Sequence, residues 1–399
     1  RAKSQRKILV AKSTWREDMN EQKICFIICY NNELYLSECI RYLNRLEIPD
    51  GFELDLLTIA EAESMTAGYN AAMQASDAKY KVYLHQDVFV LYRGFLKDTI
   101  ALFLKHPEIG MIGMVGTLKM PQSAVMWETN DRIGALRSCH LNTVDDFFDH
   151  EHDKEAVYTQ VEAVDGLLMM TQYDVPWRED LFDGWDFYDA SQSYEFRIKG
   201  YHVVVPYQEV PWVLHDCGFL NFQNYEKYRA LFCKEYHSTL VESKEQQTEN
   251  AAVQRIENLI IAQLDQGNLD FTKEMVYQHI KKMQSSELFV VLYLLFQIQD
   301  REKAAGESDL FACIEPVNST TIKEHFMKLK FCVRRLEYSL SDEDCKEAIA
   351  YLEEKKISSI CVEKIIELAC VEKEKAIENV FRYGKHYREK AVHNTHFVC

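Results

Sequence analysis

The first third of the chain alternates apolar runs with segments of helical periodicity, and this order constrains the fold more than any other feature. KICFIICY (23–30) is a continuous apolar run whose length suits a strand buried on both faces. Three further strand-like runs follow: FELDLLTIA (52–60), KYKVYLHQDVFV (79–90) and MIGMVGT (111–117). Segments with helical spacing separate them at 31–46, 64–76 and 94–110. The order β-α-β-α-β-α-β predicts an α/β fold with a mostly parallel sheet flanked by helices.

The next segments continue this domain with less regular patterns. Residues 118–160 carry no clear period, and VEAVDGLLMMTQYDV (161–175) is typical of a strand. In 181–206 a helix is expected to start near Asp189 or Ser191 and to end at Gly200, before a Val-rich strand. A Tyr-rich helix at 225–236 then closes the domain.

The composition changes near residue 240. SKEQQTEN (243–250) has no apolar residue and is typical of a linker, and the sequence after it is almost wholly helical in pattern. With 399 residues, two or three domains are expected at about 150 residues each. The predicted layout is a polar leader at 1–21, an α/β domain at 22–241 and an all-α accessory domain at 245–399.

Charge and cysteine usage exclude several classes of protein. The chain has 46 basic and 63 acidic residues, a net charge of −17, and no basic stripe, so nucleic acid is excluded as a partner. A net negative chain also needs a bridging cation to bind a diphosphate. The 12 cysteines show no CxxC spacing, which favours reduced buried thiols. No apolar stretch approaches 20 residues, so a cytoplasmic protein without a transmembrane segment is predicted.

Polar residues lie next to three predicted strand ends. Asp87 follows the third strand, the Asp186–Asp189 segment precedes a helix, and His215 ends a late strand. Ligands of parallel α/β sheets bind outside the carboxyl ends of the strands. These side chains are therefore expected to share one rim of the sheet.

An ordered set of motifs resembles a known family. IICYNNELYLSECI matches its opening strand and turn, and AGYNAAMQASDAKYKVYLHQDV matches its metal-motif strand, with His-Gln-Asp in place of DxD. LFDGWDFYDASQSYEFRIKGYHVVVP matches the region of the catalytic acid, and WVLHDCG matches a late histidine. Over about residues 22–241 the chain resembles bacterial family-2-like glycosyltransferases with a GT-A, Rossmann-like fold.

The resemblance implies a reaction. A nucleotide sugar, with a UDP-sugar favoured, binds through its diphosphate to Mn²⁺ or Mg²⁺. An acceptor hydroxyl on a glycan, a lipid-linked glycan or a protein then attacks the sugar carbon with inversion. A developing diphosphate charge needs a Lewis acid, and an imidazole ligand favours Mn²⁺ over Mg²⁺.

The resemblance also implies roles for individual residues. Asp87 matches the last acid of DxD and is the expected metal ligand; a strand-end turn is the alternative. His85 replaces the first acid and either contacts the nucleotide or fills the turn. His215 completes the metal shell or is a core histidine. Asp189, preceded by Tyr188 where the family has Glu, is the expected general base, and Asp186 is its nearest alternative.

Five further candidates belong to the donor and sugar sites. Asn31 and Glu33 match the positions that hold the nucleobase and ribose, and Asn70 lies in the helix facing the nucleotide; each could instead serve as a cap or turn residue. Asp165 matches a sugar or acceptor contact, with an Asp-Gly turn as the alternative. Trp185 would stack on a sugar or belong to the core.

Two alternatives stay open at this stage. His150 and His152 lie in an acidic loop at 145–155, for which a solvated loop is favoured over a metal site. The missing first acid of DxD and Tyr188 also fit a second hypothesis, a GT-A-like binding or scaffold protein that has lost catalysis and docks a partner through its helical domain. The helical domain is otherwise a candidate for homo-oligomerisation or for presenting the acceptor.

Overall fold

The computed structural model describes most of the chain. The described residues are 6–7, 19–141, 143–149, 157–218, 224–236, 250–307 and 309–393. They form two compact units. The first is drawn from residues 1–138, 145–216 and 221–244, and the second from residues 139–144, 217–220 and 245–399. The predicted loop histidines His150 and His152, and most of the predicted linker, lie outside the described residues.

The strands belong to two sheets of the first half of the chain. In chain order they are β1 Arg6–Lys7, β2 Asn20–Tyr30, β3 Glu53–Ala60, β4 Ala78–Leu84, β5 Val88–Val90, β6 Ile109–Gly113, β7 Val115–Thr117, β8 Arg132–His140, β9 Val144–Asp149, β10 Tyr158–Gln160, β11 Ala163–Val164, β12 Leu168–Thr171, β13 His202–Pro206 and β14 Val213–Gly218. The larger sheet has the order β1-β3-β2-β4-β12-β6-β13-β10. The smaller sheet has the order β11-β7-β8-β14-β5, with β9 paired to β8.

The larger sheet confirms the predicted α/β class and corrects its detail. Strands β1, β3, β2 and β4 are mutually parallel, as the alternating pattern predicts. Strand β12 then lies antiparallel to both β4 and β6, so the sheet is mixed. The prediction of a single strand over 161–175 is wrong. A turn at Asp165–Leu167 divides this segment into β11 and β12, which belong to different sheets. Residues 118–160, which contain β8, β9 and β10, carry no clear hydrophobic period, so the sequence does not predict these strands.

Five helices accompany these sheets: α1 Glu33–Leu43, α2 Met65–Ala75, α3 Phe95–Lys105, α4 Tyr188–Ile198 and α5 Tyr225–Tyr236. The side chain of Asn32 caps α1 by accepting from the backbone N–H groups of Leu34 and Tyr35. Ser64 caps α2, as its position in the sequence predicts. Both caps lie just after strands of the parallel half, so they fix where the chain leaves the carboxyl edge of the sheet.

The core of the first unit is rich in aromatic side chains around the centre of the larger sheet. Tyr69 of α2, Tyr83 of β4 and Trp177 have ring centroids 4.9 Å apart in each pair. Tyr188, the first residue of α4, also packs against this cluster. Such large rings bury much apolar area each, so they fix α2 and α4 against the sheet that carries the polar strand ends.

The second unit is helical. Its helices are α6 Asn250–Asp265, α7 Leu269–His279, α8 Glu287–Ala305, α9 Ser319–Glu337, α10 Asp342–Glu354, α11 Ser359–Ala369, α12 Lys373–Tyr383 and α13 Lys385–His393. A separate apolar core joins them, with Phe289, Leu292 and Leu336 among its fully buried side chains. The short segment Cys139–Val144 also belongs to this unit, and Leu141 lies in the helical core.

Two predictions from composition can be compared with these elements. Within the described part of the chain, every cysteine is free, and all except Cys217 and Cys313 are buried, as expected for reduced thiols. None of the described helices combines the length and apolarity needed to span a bilayer.

Candidate active site

Three side chains at the carboxyl edge of the larger sheet form a cluster with metal-ligand chemistry. His85 and Asp87 lie in the turn between β4 and β5, and His215 lies on β14, which pairs antiparallel with β5. His215 lies directly opposite Val88 in this pairing, which brings it beside Asp87. One ligand atom of each of the three residues lies within 4.8 Å of those of the other two.

Asp87 lies between the two imidazoles. Its Oδ1 is 3.6 Å from Nε2 of His215 and 3.9 Å from Nδ1 of His85. Among the residues that the structure describes, none donates a hydrogen bond to this buried Oδ1. Because a buried carboxylate oxygen without a partner is unfavourable, this atom is a natural ligand for a cation.

The charges of the cluster support one another. Burial alone would raise the pKa of Asp87, but His215 and His85 hold that pKa below its ordinary value. Burial alone would lower the pKa of His215, but Asp87, with Asp165 and Asp216, raises it. Burial lowers the pKa of His85; Asp87 opposes this effect and His215 adds to it. The ionised carboxylate of Asp87 and the neutral imidazole of His85 are the forms that bind a metal ion, whereas His215, whose pKa is raised, must lose its proton to become a ligand.

The turn that carries the cluster is held by backbone and amide contacts. The His85 N–H donates to the carbonyl of Leu167 at 3.0 Å, and Asp216 N–H donates to the carbonyl of Asp87 at 2.9 Å. The Gln86 side chain accepts from the backbone N–H of Asn32 at 2.9 Å and donates to Oδ1 of Asn31 at 2.7 Å. These bonds tie the turn to the loop after β2.

Asp189 and Asp165 form a second acidic group near the cluster. Asp189, in the first turn of α4, accepts from the N–H groups of Gly166 at 2.9 Å and Ala190 at 2.8 Å. Asp165 accepts from Leu167 N–H at 2.9 Å. Burial, and then the nearby charge of Asp165, raise the pKa of Asp189 to about 7. This carboxyl group therefore takes up and releases a proton near neutral pH.

The remaining predicted residues differ in their surroundings. Trp185 is 51% exposed and is not a core side chain. Asp186 is half-buried, and burial raises its pKa. Glu33 is exposed at the start of α1, and Asn31 is exposed and bonded to Gln86.

Both ends of the Asn70 amide bond to other parts of the protein. Its amide is buried and bonds to both backbone groups of Trp177 and to the Glu179 carboxylate, at 2.9 to 3.0 Å. With its donor and its acceptor occupied, this side chain joins α2 to the 177–179 segment. The structure thus favours a packing role for Asn70, as the alternative of a structural residue allowed.

Tyr188 and Gly166 are the residues that sequence reasoning missed. The Tyr188 hydroxyl forms a short hydrogen bond with Nε2 of His85. A Cβ atom on Gly166 would lie 2.2 Å from that hydroxyl, so glycine is needed for this approach. The sequence offered only indirect signals: Tyr188 replaces an expected Glu, and Gly166 follows Asp165 in a turn-like pair.

Comparison with known proteins identifies the family. The sequence model of a family described as "Glycosyltransferase like family" matches residues 25–236, more than half of the chain. The chain therefore belongs to this glycosyltransferase-like family, and the predicted transferase class is confirmed. Among curated proteins, none matches.

Solved structures give more distant likenesses. TarS 1-349 of S. aureus is 11% identical, with 71% of this chain and 92% of that chain covered and a TM-score of 0.34. The same protein in complex with UDP is 10% identical, with 92% of each chain covered and a TM-score of 0.35. The mannosyltransferase PcManGT from Pyrobaculum calidifontis, in complex with GDP-Man and Mn²⁺, is 10% identical, with 93% and 90% covered and a TM-score of 0.32. At such scores the family assignment rests on the sequence match alone.

Proposed function

We propose that this transferase moves a sugar from a nucleotide-sugar donor to an acceptor hydroxyl, with a divalent cation at His85, Asp87 and His215. The observation that carries the proposal is the buried Oδ1 of Asp87, which lies between two imidazoles and accepts no hydrogen bond from any described residue. This adds His85 to the two ligands expected from the sequence. The cation would neutralise charge on the leaving nucleoside diphosphate.

The donor set favours one ion over the other. Two imidazoles and one carboxylate suit Mn²⁺, whereas Mg²⁺ prefers oxygen ligands and retains several waters. We therefore expect Mn²⁺ to support donor binding better than Mg²⁺. Turnover is likewise expected to be faster with Mn²⁺ than with Mg²⁺.

Asp189 is the proposed general base. Its pKa of about 7 suits removal of a proton from an acceptor hydroxyl at neutral pH. Its two backbone hydrogen bonds hold the carboxylate in one orientation. Asp186 is the alternative base, since it is half-buried and has a raised pKa. Inversion at the sugar carbon follows from the family resemblance and forms part of the proposal.

The donor and acceptor groups are proposed by position. Asn31 and Glu33 lie at the loop joined to the metal turn through Gln86, which suits the nucleoside of a UDP-sugar. Asp165 and the exposed Trp185 suit a sugar ring, with Trp185 as the stacking face. The acceptor is a glycan, a lipid-linked glycan or a protein. A cytoplasmic location stays a prediction from composition.

Donor-binding calorimetry tests the proposal. UDP-, GDP- and dTDP-sugars are titrated into the full chain with Mn²⁺ or with EDTA. We expect one donor class to bind with Mn²⁺ and not with EDTA, and Asp87→Asn to lose that binding. Equal donor binding in Mn²⁺ and EDTA would reject the metal site, and no donor binding in either would reject the proposed reaction.

A further inference from the structure

The hydrogen bond between Tyr188 and His85 distinguishes the two nitrogens of the His85 ring. Nε2 bonds to the Tyr188 hydroxyl, and Nδ1 lies on the side of Asp87, 3.9 Å from Oδ1. That distance is too long for a hydrogen bond, so Asp87 accepts no hydrogen bond from Nδ1. A neutral imidazole carries one proton and keeps one lone pair.

From this geometry we infer that Tyr188 is a positioning residue that makes His85 a metal ligand through Nδ1. With a metal ion on Nδ1, the ring proton lies on Nε2, and Nε2–H donates to the Tyr188 hydroxyl oxygen. Partners of this kind fix the tautomer and the ring orientation of a ligating histidine. The inference rests on the proposed metal site and assigns a role to the residue that replaces the expected Glu.

Tyr188 is itself held firmly enough for this role. Its side chain is buried, and its ring centroid lies 6.0 Å from that of Tyr69 and 6.2 Å from that of Trp177. Gly166 leaves the space that the hydroxyl occupies.

The neighbouring Tyr69 provides a matched control. It is a fully buried tyrosine of the same aromatic cluster, and its hydroxyl has no hydrogen-bond partner within the described part of the chain. Tyr69→Phe and Tyr188→Phe therefore each remove one buried hydroxyl and keep the ring. Only the second removes a contact to the proposed metal site.

To test this, the full chain is titrated with Mn²⁺, and the free Mn²⁺ is measured at each step by electron paramagnetic resonance. We expect Tyr188→Phe to weaken Mn²⁺ binding by about 10- to 100-fold, as for other partners of ligating histidines. Tyr69→Phe is expected to bind like the unchanged protein. In a His85→Gln background, Tyr188→Phe should cause no further loss, because its effect passes through His85. Thermal melting of each variant checks folding.

The outcomes separate this inference from the proposed function. If the unchanged protein binds no Mn²⁺, the proposed metal site itself fails. If it binds Mn²⁺ and Tyr188→Phe binds equally well, the positioning role is overturned. An equal loss from Tyr188→Phe with and without His85 would also overturn it, since the effect would then be a general structural one.

Discussion

The substitution Asp87→Asn removes the charge of this side chain and keeps its shape. Asp87 lies between two imidazoles and raises the pKa of His215, while its own pKa is held low by them. The sequence predicted the metal roles of Asp87 and His215 from strand ends and family motifs. It left His85 open between nucleotide and turn, because spacing cannot show that β14 lies beside β5.

We predict that Asp87→Asn weakens Mn²⁺ binding by at least about 10-fold, since asparagine keeps the side-chain shape but not the anionic ligand. The same change should lower the pKa of His215, because Asp87 is the largest of the charges that raise it. Calorimetry with Mn²⁺ and an NMR titration of the His215 ring measure the two effects. An unchanged Mn²⁺ affinity would show that Asp87 is not a ligand.

Asp165→Asn tests the proposed base through the pH profile. Burial and then Asp165 raise the pKa of Asp189 to about 7, so a base at Asp189 gains activity as pH rises through that value. Asparagine keeps an oxygen to accept from Leu167 N–H but removes the charge that disfavours ionised Asp189. The acidic limb of kcat/KM against pH is therefore expected to move to lower pH.

Asp165→Asn can also change the maximum value of kcat/KM, because Asp165 is a proposed sugar contact. The position of the limb is the quantity that reports on Asp189. A limb that stays in place in Asp165→Asn, together with loss of the limb and of activity in Asp186→Asn, would transfer the role of base to Asp186.

Among the elements of the fold, the turn between β11 and β12 brings Asp165 close to Asp189, which lies in the first turn of α4. Phe187, just before this helix, has a left-handed backbone with φ of 60°, which directs Tyr188 and Asp189 back toward the turn. The alternating strands and the capped helices α1 and α2 could be predicted because their patterns are local. The antiparallel β12 could not, since its pairing with β4 and β6 depends on long-range contacts that leave no period in the sequence.

Gly166→Ala tests this close approach of turn and helix. Its Cβ would meet the Tyr188 hydroxyl at 2.2 Å and Cβ of Asp189 at 2.9 Å, so one of them must move. We expect a loss of about 1–3 kcal/mol in the free energy of unfolding, together with weaker Mn²⁺ binding. Chemical denaturation and the Mn²⁺ titration measure the two quantities.

Gly200→Ala is the control for a glycine effect without contact to the site. Gly200 lies two residues after the end of α4 with φ of 85°, and a Cβ there would meet none of the described atoms within 4 Å. The Gly200→Ala substitution should lower the free energy of unfolding by about 1 kcal/mol, through backbone strain alone, and leave Mn²⁺ binding unchanged. Weaker Mn²⁺ binding in Gly200→Ala, equal to that in Gly166→Ala, would contradict a specific role for the turn.

At the scale of the whole molecule, the helical unit has its own apolar core, and part of it comes from the first half of the chain. Leu141, in the segment after β8, is 5% exposed within that core. The change in composition near residue 240 predicted a helical second half. The contribution of 139–144 could not be predicted, because a short segment within an irregular region carries no signal of the core it joins.

We predict that Leu141→Ala destabilises the helical unit by about 2–5 kcal/mol, the usual cost of truncating a buried leucine. Hydrogen exchange should show lost protection in α8 and α9, which line that core. Leu104→Ala, at a site 66% exposed on α3, is the control and should change stability by less than about 0.5 kcal/mol. Unchanged exchange in α8 and α9 would place Leu141 outside the helical core.

We propose metal-dependent sugar transfer at the His85, Asp87 and His215 cluster. A donor-hydrolysis screen tests it most directly, because slow transfer of the sugar to water needs no acceptor. The protein is incubated with UDP-, GDP- and dTDP-sugars in Mn²⁺ or EDTA, and the released nucleoside diphosphate is measured. We expect nucleoside diphosphate to be released from one donor, and both EDTA and Asp87→Asn to abolish that release. Release that persists in EDTA, or survives Asp87→Asn, would contradict it.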